Sequence, residues 1–232
     1  MTGNLKVKRE KKNKAVQMES EKHRTEVFID SLEKENTPFL EELEKRAKED
    51  SVPVIRKEVQ SLLKVILEMK RPGRVLEIGT AIGFSAILMA ECGPDDMEIV
   101  TIEDYEKRVK EAEKNIALSG YGNRITLIYG DANEVLPTLS GSFDLIFMDA
   151  AKGQYIRFLP EVKRLLSEGG ILVSDNCLRG GDILESRFVV ERRDRTIHRR
   201  MRDYLYAIKN DDSLVSAVLS AGDGITVSVK RG

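Results

Sequence analysis

The sequence predicts an α/β fold: a doubly wound, mostly parallel seven-stranded sheet whose last strand is antiparallel, preceded by N-terminal helices. Two observations predict it. Short apolar runs alternate with amphipathic segments from Arg74 to Asn210, which is typical of a parallel sheet with helices on both faces. The last two apolar runs are separated by Ser220–Asp223 alone. Because so short a connection cannot cross over the sheet, these two strands must be antiparallel neighbours.

The N-terminal part of the 232-residue chain is expected to be helical behind a basic tail. Residues 1–14 carry six basic side chains and one acid, Glu10, so we expect a disordered tail over residues 1–20. Apolar residues recur at helical spacing from Glu21 to Asp50, with a restart at Thr37-Pro38, and again from Arg56 to Met69. We therefore predict one domain over residues 21–232, with a helical extension over residues 21–70.

The following segments are short apolar runs or have a helical period, and they define the predicted elements in chain order. Strands are expected at Arg74–Ile78, Glu98–Ile102, Ile125–Ile128, Phe143–Met148, Gly170–Val173, Ser213–Leu219 and Gly224–Val229. Helices are expected at Phe84–Glu91, Tyr105–Leu118, Ala132–Leu136, Ile156–Leu166 and Arg195–Asn210. Ligands of such sheets bind outside the carboxyl ends of the strands, so the residues that follow each strand are the candidates for a binding site.

Composition excludes several classes of protein. The net charge of −1 does not mark the whole chain as a nucleic-acid binder. The start of the sequence has no apolar signal segment, and no apolar run reaches the roughly 18 residues of a membrane span. The two cysteines, Cys92 and Cys177, lie far apart without metal-ligand spacing, as expected of reduced thiols. A cytoplasmic protein is the expected result.

The segment after the first predicted strand indicates a ligand-binding turn. Gly79 and Gly83 allow a tight bend and a close backbone approach to a ligand. The spacing is not that of a dinucleotide-binding loop, because Ala81 stands where its middle glycine would be. Glu77 would repel a pyrophosphate, and a cationic sulfonium ligand with an ammonium group suits this carboxylate better. A plain structural turn is the alternative.

Two more acids close the next two strands. Glu103 follows Gly83 by about 20 residues, where an acid can accept hydrogen bonds from ribose hydroxyls. Asp131 and the Ala132 amide could read an adenine edge. Each acid also has a structural alternative: Glu103 as a charge at a helix N-terminus and Asp131 as a helix cap. Acids at three successive strand ends favour a shared crevice.

The fourth and fifth strands bring three oxygen donors to neighbouring ends. Asp149 follows one strand, and Asp175 and Asn176 follow the other. Since adjacent strands lie roughly 4.8 Å apart, these side chains can converge. Two carboxylates and an amide oxygen suit Mg²⁺, and the absence of a His or Cys cluster argues against zinc. Lys152, three residues after Asp149, is either a general base or a solvated surface lysine.

These motifs resemble those of the cation-dependent O-methyltransferases, the family of catechol and caffeoyl-coenzyme A O-methyltransferases. The resemblance runs from about Val52 to Gly232. It implies the class A methyltransferase fold, S-adenosylmethionine as cofactor, a divalent cation such as Mg²⁺, and a homodimer. It also implies that Asp149, Asp175 and Asn176 bind the metal and that Lys152 and Asp149 are catalytic. The cofactor-binding residues implied in this way are Val52, Val54, Glu77, Gly79, Ser85, Glu103, Asp131, Ala132 and Asp149.

An arginine-rich segment suggests a polyanionic acceptor. Seven arginines stand against two acids from Arg187 to Arg202. On a helix that began early enough, one face would carry Arg192, Arg195, Arg199 and Arg202. A solvated cationic face is the structural alternative. Together with Ser51–Val54 and Ala150–Tyr155, this segment resembles the bacterial transfer RNA 5-hydroxyuridine methyltransferases. That branch implies the tRNA anticodon loop as partner and 5-methoxyuridine at the wobble position as product.

Three other functions compete with this interpretation. A small-molecule methyltransferase acting on catechols or other phenols would use the same motifs. A non-catalytic RNA-binding module would need neither the three metal-ligand candidates nor Lys152. A nicotinamide oxidoreductase is disfavoured by Ala81, which breaks the dinucleotide pattern.

Overall fold

The structure is a computed structural model that describes residues 24–25, 27–178, 183–186 and 189–232. The predicted basic tail over residues 1–20 lies outside these residues. Residues 24, 25 and 27–30 are helical and belong to a separate small unit, in which Ser31 Oγ donates to Phe28 O over 2.6 Å. The remainder, Asn36–Gly232, forms one compact unit.

Seven helices and seven strands alternate through this unit in the described part of the chain. The helices are α1 (Pro38–Glu49), α2 (Lys57–Lys70), α3 (Phe84–Cys92), α4 (Glu106–Ser119), α5 (Ala132–Val135), α6 (Tyr155–Leu165) and α7 (Arg195–Lys209), with short 3₁₀ helices at Leu136–Thr138 and Lys152–Gln154. The strands are β1 (Arg74–Ile78), β2 (Glu98–Glu103), β3 (Ile125–Tyr129), β4 (Phe143–Met148), β5 (Leu166–Ser174), β6 (Leu214–Leu219) and β7 (Ile225–Lys230). None of these helices is long and apolar enough to cross a membrane.

The seven strands form one sheet in the order β3-β2-β1-β4-β5-β7-β6. Strands β1 to β5 are parallel, and β7 runs antiparallel to both β5 and β6. The predicted fold class is therefore confirmed, including the antiparallel last strand. Because the chain winds from β1 outward in one direction and returns at β4 to build the other, β1 and β4 flank the point where the winding direction reverses.

Each face of the sheet carries its own apolar core. Side chains alternate along β1, so Val75 packs with α1 to α3 on one face while Leu76 and Ile78 pack with α6 and α7 on the other. All three side chains are at most 1% exposed. Burying an aliphatic side chain of this size contributes about 1.5–3 kcal/mol, so β1 is anchored from both sides and its carboxyl end is fixed.

The largest difference from the predicted boundaries is at β5. This strand begins at Leu166 rather than Gly170, because Leu166 already pairs with Phe143 of β4 before the pairing shifts register. Helix α6 accordingly ends at Leu165. The change does not affect the site, since the carboxyl end of β5 remains at Ser174 beside Met148 of β4.

Candidate active site

A cavity of about 710 Å³ opens at the carboxyl ends of the parallel strands. Its wall is formed by the segments that follow β1 to β5, together with residues from the turn before α2. The volume lies within the range of small-molecule sites, about 300–1,000 Å³. The cavity therefore occupies the place where doubly wound sheets bind their ligands.

The turn between β1 and α3 passes directly against the end of β4. Gly79 has a φ of +102°, and a Cβ at this position would lie 2.1 Å from the backbone oxygen of Asp149. Gly83 has a φ of +88°, and Ala81 between them also adopts a left-handed conformation, with a φ of +47°. The two glycines thus provide the predicted tight bend, and Gly79 lets the backbones of β1 and β4 approach closely.

Glu103 and Asp131 line the cavity and also make the structural contacts that the sequence left open. Glu103 Oε1 accepts from the amide of Tyr105, the N-cap of α4, over 3.0 Å. Glu103 Oε2 accepts from the Ala81 amide over 2.8 Å, which ties β2 to the glycine turn. Asp131 Oδ1 accepts from the Asn133 amide over 2.8 Å as the N-cap of α5. Ala132 lies beside it on the cavity wall. The structural and ligand-binding interpretations of both acids are therefore compatible.

Two residues expected to contact a cofactor lie behind the cavity wall. Glu77 is fully buried and does not line the cavity, whereas Val54, Gly79 and Ser85 do. Val52 is also buried and off the wall. The expectation of a Glu77 carboxylate facing a ligand is therefore not met, because this side chain projects from β1 into the protein interior.

The Glu77 carboxylate has an unusual environment. Thr101 Oγ1 donates to its Oε2 over 2.5 Å, while its Oε1 has no hydrogen bond of good geometry to any residue the structure describes. Burial disfavours the charged form and raises the pKa of Glu77 to about 7, against the opposing effect of the nearby Ser85 and Thr101 hydroxyls. Such a carboxyl is near the midpoint of its titration at neutral pH.

The ends of β4 and β5 bring the three predicted metal-ligand candidates together. Asn176 Nδ2 donates to Asp149 Oδ1 over 2.9 Å, and the Asn176 backbone amide donates to Asp175 Oδ1 over 2.6 Å. All three residues line the cavity. Asn176 has a φ of +59°, a left-handed conformation that asparagine adopts more readily than most residues. This turn directs the amide back toward Asp149.

The electrostatics of this cluster fit a divalent cation. Burial raises the pKa of Asp149, and burial together with the Asp149 charge raises the pKa of Asp175 to about 7. Two buried carboxylates that repel each other are stabilised by a cation between them. No group of three or more His, Cys, Asp or Glu side chains that could hold a metal occurs within the described ranges, so the candidate site consists of two carboxylates and the Asn176 amide oxygen.

Lys152 stands on the cavity wall at the start of the 3₁₀ helix Lys152–Gln154. Its side chain is half-buried, and its positive charge partly opposes the rise in the pKa values of Asp149 and Asp175 that burial causes. Lys152 therefore lies near the carboxylate cluster, as predicted. It also borders a small apolar recess, lined chiefly by Ile183, Val190, Ile197 and Met201.

Sequence reasoning missed an ion pair on the cavity wall. Arg56 Nη2 lies 3.0 Å from Asp223 Oδ1, and both residues line the cavity. Asp223 also raises the pKa of Asp175. The two partners lie 167 residues apart in the chain, so no local motif could have indicated the pair. Phe158 of α6 also lines the cavity, and no sequence motif singled it out.

The arginine-rich segment is only partly arranged as predicted. Helix α7 begins at Arg195, after a turn closed by the hydrogen bond from Asp194 N to Glu191 O. Arg192 therefore lies before the helix and not on its face, which corrects the sequence prediction. Arg187 lies outside the described residues.

The arginines of α7 differ in their contacts. Arg195 Nε donates to Val190 O and Arg202 Nη1 to Ile183 O, each over 3.1 Å, so both side chains also hold the preceding segment. Arg199 is exposed. Arg200, which the predicted face did not include, donates from Nη1 to Gly153 O over 3.3 Å. The helix thus packs beside the segment that carries Lys152.

The chain is similar to known O-methyltransferases. The family model described as O-methyltransferase matches residues 30–231. A catechol O-methyltransferase of Mycobacterium tuberculosis is 40% identical over 112 residues, 48% of this chain and 51% of that protein. A catechol O-methyltransferase of Niastella koreensis is 33% identical over 127 residues, 53% of this chain and 58% of that protein. The matches thus span little more than half the length of these two relatives.

A solved structure matches over most of the chain. The SAH-bound methyltransferase PaMTH1 of Podospora anserina has a TM-score of 0.82 and 25% sequence identity. The match covers 92% of this chain and 97% of that one. The seven-stranded architecture described above is therefore shared with a methyltransferase whose crystal structure contains SAH.

Proposed function

The chain belongs to the O-methyltransferase family, and on that premise we propose that it methylates a hydroxyl oxygen, with S-adenosylmethionine as donor and a divalent cation such as Mg²⁺ in its site. One observation carries the proposal. The cluster formed by the carboxylates of Asp149 and Asp175 and the amide of Asn176 shares a single cavity with the glycine turn at Gly79. A donor site and an acceptor site are thus within one enclosure.

The half of the cavity beside β1 to β3 fits the donor. Glu103 can accept hydrogen bonds from ribose hydroxyls, and Asp131 with the Ala132 amide can contact an adenine edge. Val54, Gly79 and Ser85 line the remainder toward Asp149, where the methionine part would lie. Support comes from the SAH-bound relative, which shares the fold. Glu77 would act from beneath this wall through its negative field.

The half beside β4 and β5 fits the acceptor. When bound, S-adenosylmethionine supplies an electrophilic methyl group and the cation lowers the pKa of an acceptor hydroxyl. Asp149, Asp175 and Asn176 would hold the cation, and the Lys152 amine would take up the acceptor proton. Asp175 and Phe158 are almost fully buried in the wall at this end of the cavity, where a bound acceptor would displace water. A dry site favours a transfer in which opposite charges disappear.

We propose 5-hydroxyuridine at the wobble position of tRNA as the acceptor. Its hydroxyl and the adjacent carbonyl are neighbouring oxygens, as in a catechol. Bases of an anticodon loop can be turned out of the stack into a pocket. Arg199 is exposed on α7, and Arg200 of the same helix contacts the Lys152 segment. A cationic helix beside the acceptor end is suited to the phosphates that flank such a base.

A catechol or other small phenol is the second candidate acceptor. It is favoured by two relatives named catechol O-methyltransferase. The apolar side chains beside Lys152, among them Ile183, Val190 and Ile197, would contact the ring of a free phenol held in the main cavity. The same side chains could equally contact the face of an extruded base.

The test compares the two acceptors in parallel reactions. The protein is incubated with methyl-labelled S-adenosylmethionine, Mg²⁺ and either hypomodified tRNA or catechol, and the products are identified by mass spectrometry. We expect labelled 5-methoxyuridine, and no label with a Lys152→Met variant. Label on catechol with none on tRNA would replace the proposed acceptor. Tight tRNA binding without S-adenosylmethionine binding would instead indicate a non-catalytic RNA-binding module.

A further inference from the structure

A buried tyrosine joins the two strand ends that carry the metal-ligand candidates. Tyr155 is the first residue of α6 and is 0% exposed. Its hydroxyl accepts a hydrogen bond from the Ala150 amide over 3.2 Å. The hydroxyl oxygen also lies 3.2 Å from Met148 O and 3.1 Å from Asp175 O, and its hydrogen is shared between these two carbonyls.

The three backbone partners of this hydroxyl surround the ligand candidates. Met148 and Ala150 are the residues on either side of Asp149, and the third partner is the carbonyl of Asp175 itself. The regular ladder between β4 and β5 ends with the pair Met148 and Ser174. Beyond it, two direct links are described between the two ends: the backbone hydrogen bond from Asp175 N to Met148 O and the side-chain hydrogen bond from Asn176 Nδ2 to Asp149 Oδ1.

The aromatic ring of Tyr155 is itself fixed. It packs edge to face against Tyr204 of α7, with ring centroids 5.5 Å apart and an interplanar angle of 80°. Burial raises the pKa of the Tyr155 hydroxyl well above its usual value, so the group stays protonated and can donate. A fixed ring with a protonated hydroxyl gives the contact a defined position.

We propose that Tyr155 is a positioning residue for the cation site: its hydroxyl sets the distance between Asp149 and the Asp175–Asn176 pair. This inference rests on the metal site of the proposed function. Mg²⁺ accepts little deviation from octahedral geometry, and groups that orient metal ligands commonly affect metal affinity 10- to 100-fold. Loss of the hydroxyl would let the two ends separate and weaken cation binding. The donor half of the cavity lies mainly beside β1 to β3, so S-adenosylmethionine binding would be affected less than cation binding.

Tyr204 provides a matched control. It is also 0% exposed, and its hydroxyl shares a buried hydrogen bond with Ser174 Oγ over 2.5 Å and interacts with the Thr226 side chain. It contacts neither Asp149 nor Asp175 in the described hydrogen bonds. Tyr155→Phe and Tyr204→Phe therefore each remove one buried hydroxyl and retain the ring, and they differ in whether the strand ends lose their link.

The experiment measures Mn²⁺ affinity of the full chain by titration with electron paramagnetic resonance, together with S-adenosylmethionine affinity and the melting temperature. We expect Tyr155→Phe to weaken Mn²⁺ binding at least about 10-fold and Tyr204→Phe to change it less than about 3-fold, with S-adenosylmethionine affinity similar in both. Equal Mn²⁺ affinity in Tyr155→Phe and wild type, or equal loss in both variants, would overturn the role of Tyr155. A wild-type protein that binds no Mn²⁺ would overturn the metal site as well.

Discussion

Asn176 and Asp149, which follow two neighbouring strands and lie 27 residues apart in the chain, are joined by a hydrogen bond of 2.9 Å from Asn176 Nδ2 to Asp149 Oδ1. The contact fixes the relative position of two side chains that parallel strands alone would leave free to rotate. It places an amide and two carboxylates at one end of the cavity.

Asp175→Asn should remove cation-dependent turnover while sparing the donor site. The substitution retains the side-chain volume but removes one of two carboxylate charges, so we expect turnover at saturating Mg²⁺ to fall at least about 100-fold. S-Adenosylmethionine affinity, measured by calorimetry, should change less than about 3-fold. The exposed Glu168→Asn serves as a charge-matched control. An Asp175→Asn protein with wild-type turnover would contradict the ligand assignment.

Glu77 should make the cation-free protein less stable as the pH rises toward neutrality. Its pKa is about 7 in the folded protein and near 4.5 when unfolded. The folded state therefore binds this proton more tightly, and the stability it confers is present below about pH 4.5 and lost as the pH rises through 7. The loss should be on the order of 3 kcal/mol.

Glu77→Gln tests this linkage through urea unfolding at pH 5 and pH 8. In Glu77→Gln, the free energy of unfolding should lose the part of its pH dependence that Glu77 contributes. Glu168→Gln, at an exposed carboxylate, should retain the wild-type pH dependence. The difference between the two variants isolates Glu77 from Asp149 and Asp175, whose pKa values are raised as well. Parallel slopes in both variants would show that the Glu77 carboxyl titrates normally.

Gly79→Ala should disrupt both halves of the cavity. The added Cβ would collide with the backbone oxygen of Asp149 at a φ of +102°, so we expect the free energy of unfolding to fall by more than about 3 kcal/mol. Gly120→Ala is the matched control, because its φ is +83° but nothing lies within 4 Å of the added Cβ. Its cost should be about 1–2 kcal/mol. Similar losses of unfolding free energy in both variants would mean that the backbone at Asp149 moves away from the added Cβ without much destabilisation.

Arg199→Gln should weaken tRNA binding in a salt-dependent way. Arg199 is exposed on α7, whereas Arg195 also holds Val190 O, so Arg199 is the cleaner substitution. Loss of one phosphate contact should reduce the slope of log affinity against log salt by about 0.7–0.9. Lys45→Gln, at an exposed lysine of α1, removes the same charge elsewhere and should leave the slope unchanged. An unchanged slope for Arg199→Gln would exclude this surface.

The parts of the site that the sequence predicted are those set by strand order. Asp149, Asp175 and Asn176 follow apolar runs directly, and parallel strands bring their carboxyl ends to one edge. Gly79 and Glu103 were predictable for the same reason. The alternation of apolar and amphipathic segments thus predicted the fold class and the edge of the sheet at which the cavity opens.

The parts that the sequence did not predict depend on side-chain direction and on distant contacts. Glu77 belongs to the motif but projects into the interior. Burial along β1 is almost continuous, so the hydrophobic pattern does not indicate in which direction each side chain points. Arg192 shares the arginine face only if the helix begins early enough, but α7 begins at Arg195, after a turn with no strong signal. The contacts of Tyr155 with Asp175, and of Arg56 with Asp223, join segments that only the tertiary fold brings together.

The most direct test of the cation site is anomalous diffraction from crystals of the protein grown or soaked with Mn²⁺ and S-adenosylhomocysteine. We predict one strong manganese peak bounded by oxygens of Asp149, Asp175 and Asn176, at about 2.0–2.3 Å from each, as expected for a hard octahedral cation. An Asp149 side chain turned away from the other two residues, with no manganese peak among them at saturating Mn²⁺, would contradict the account.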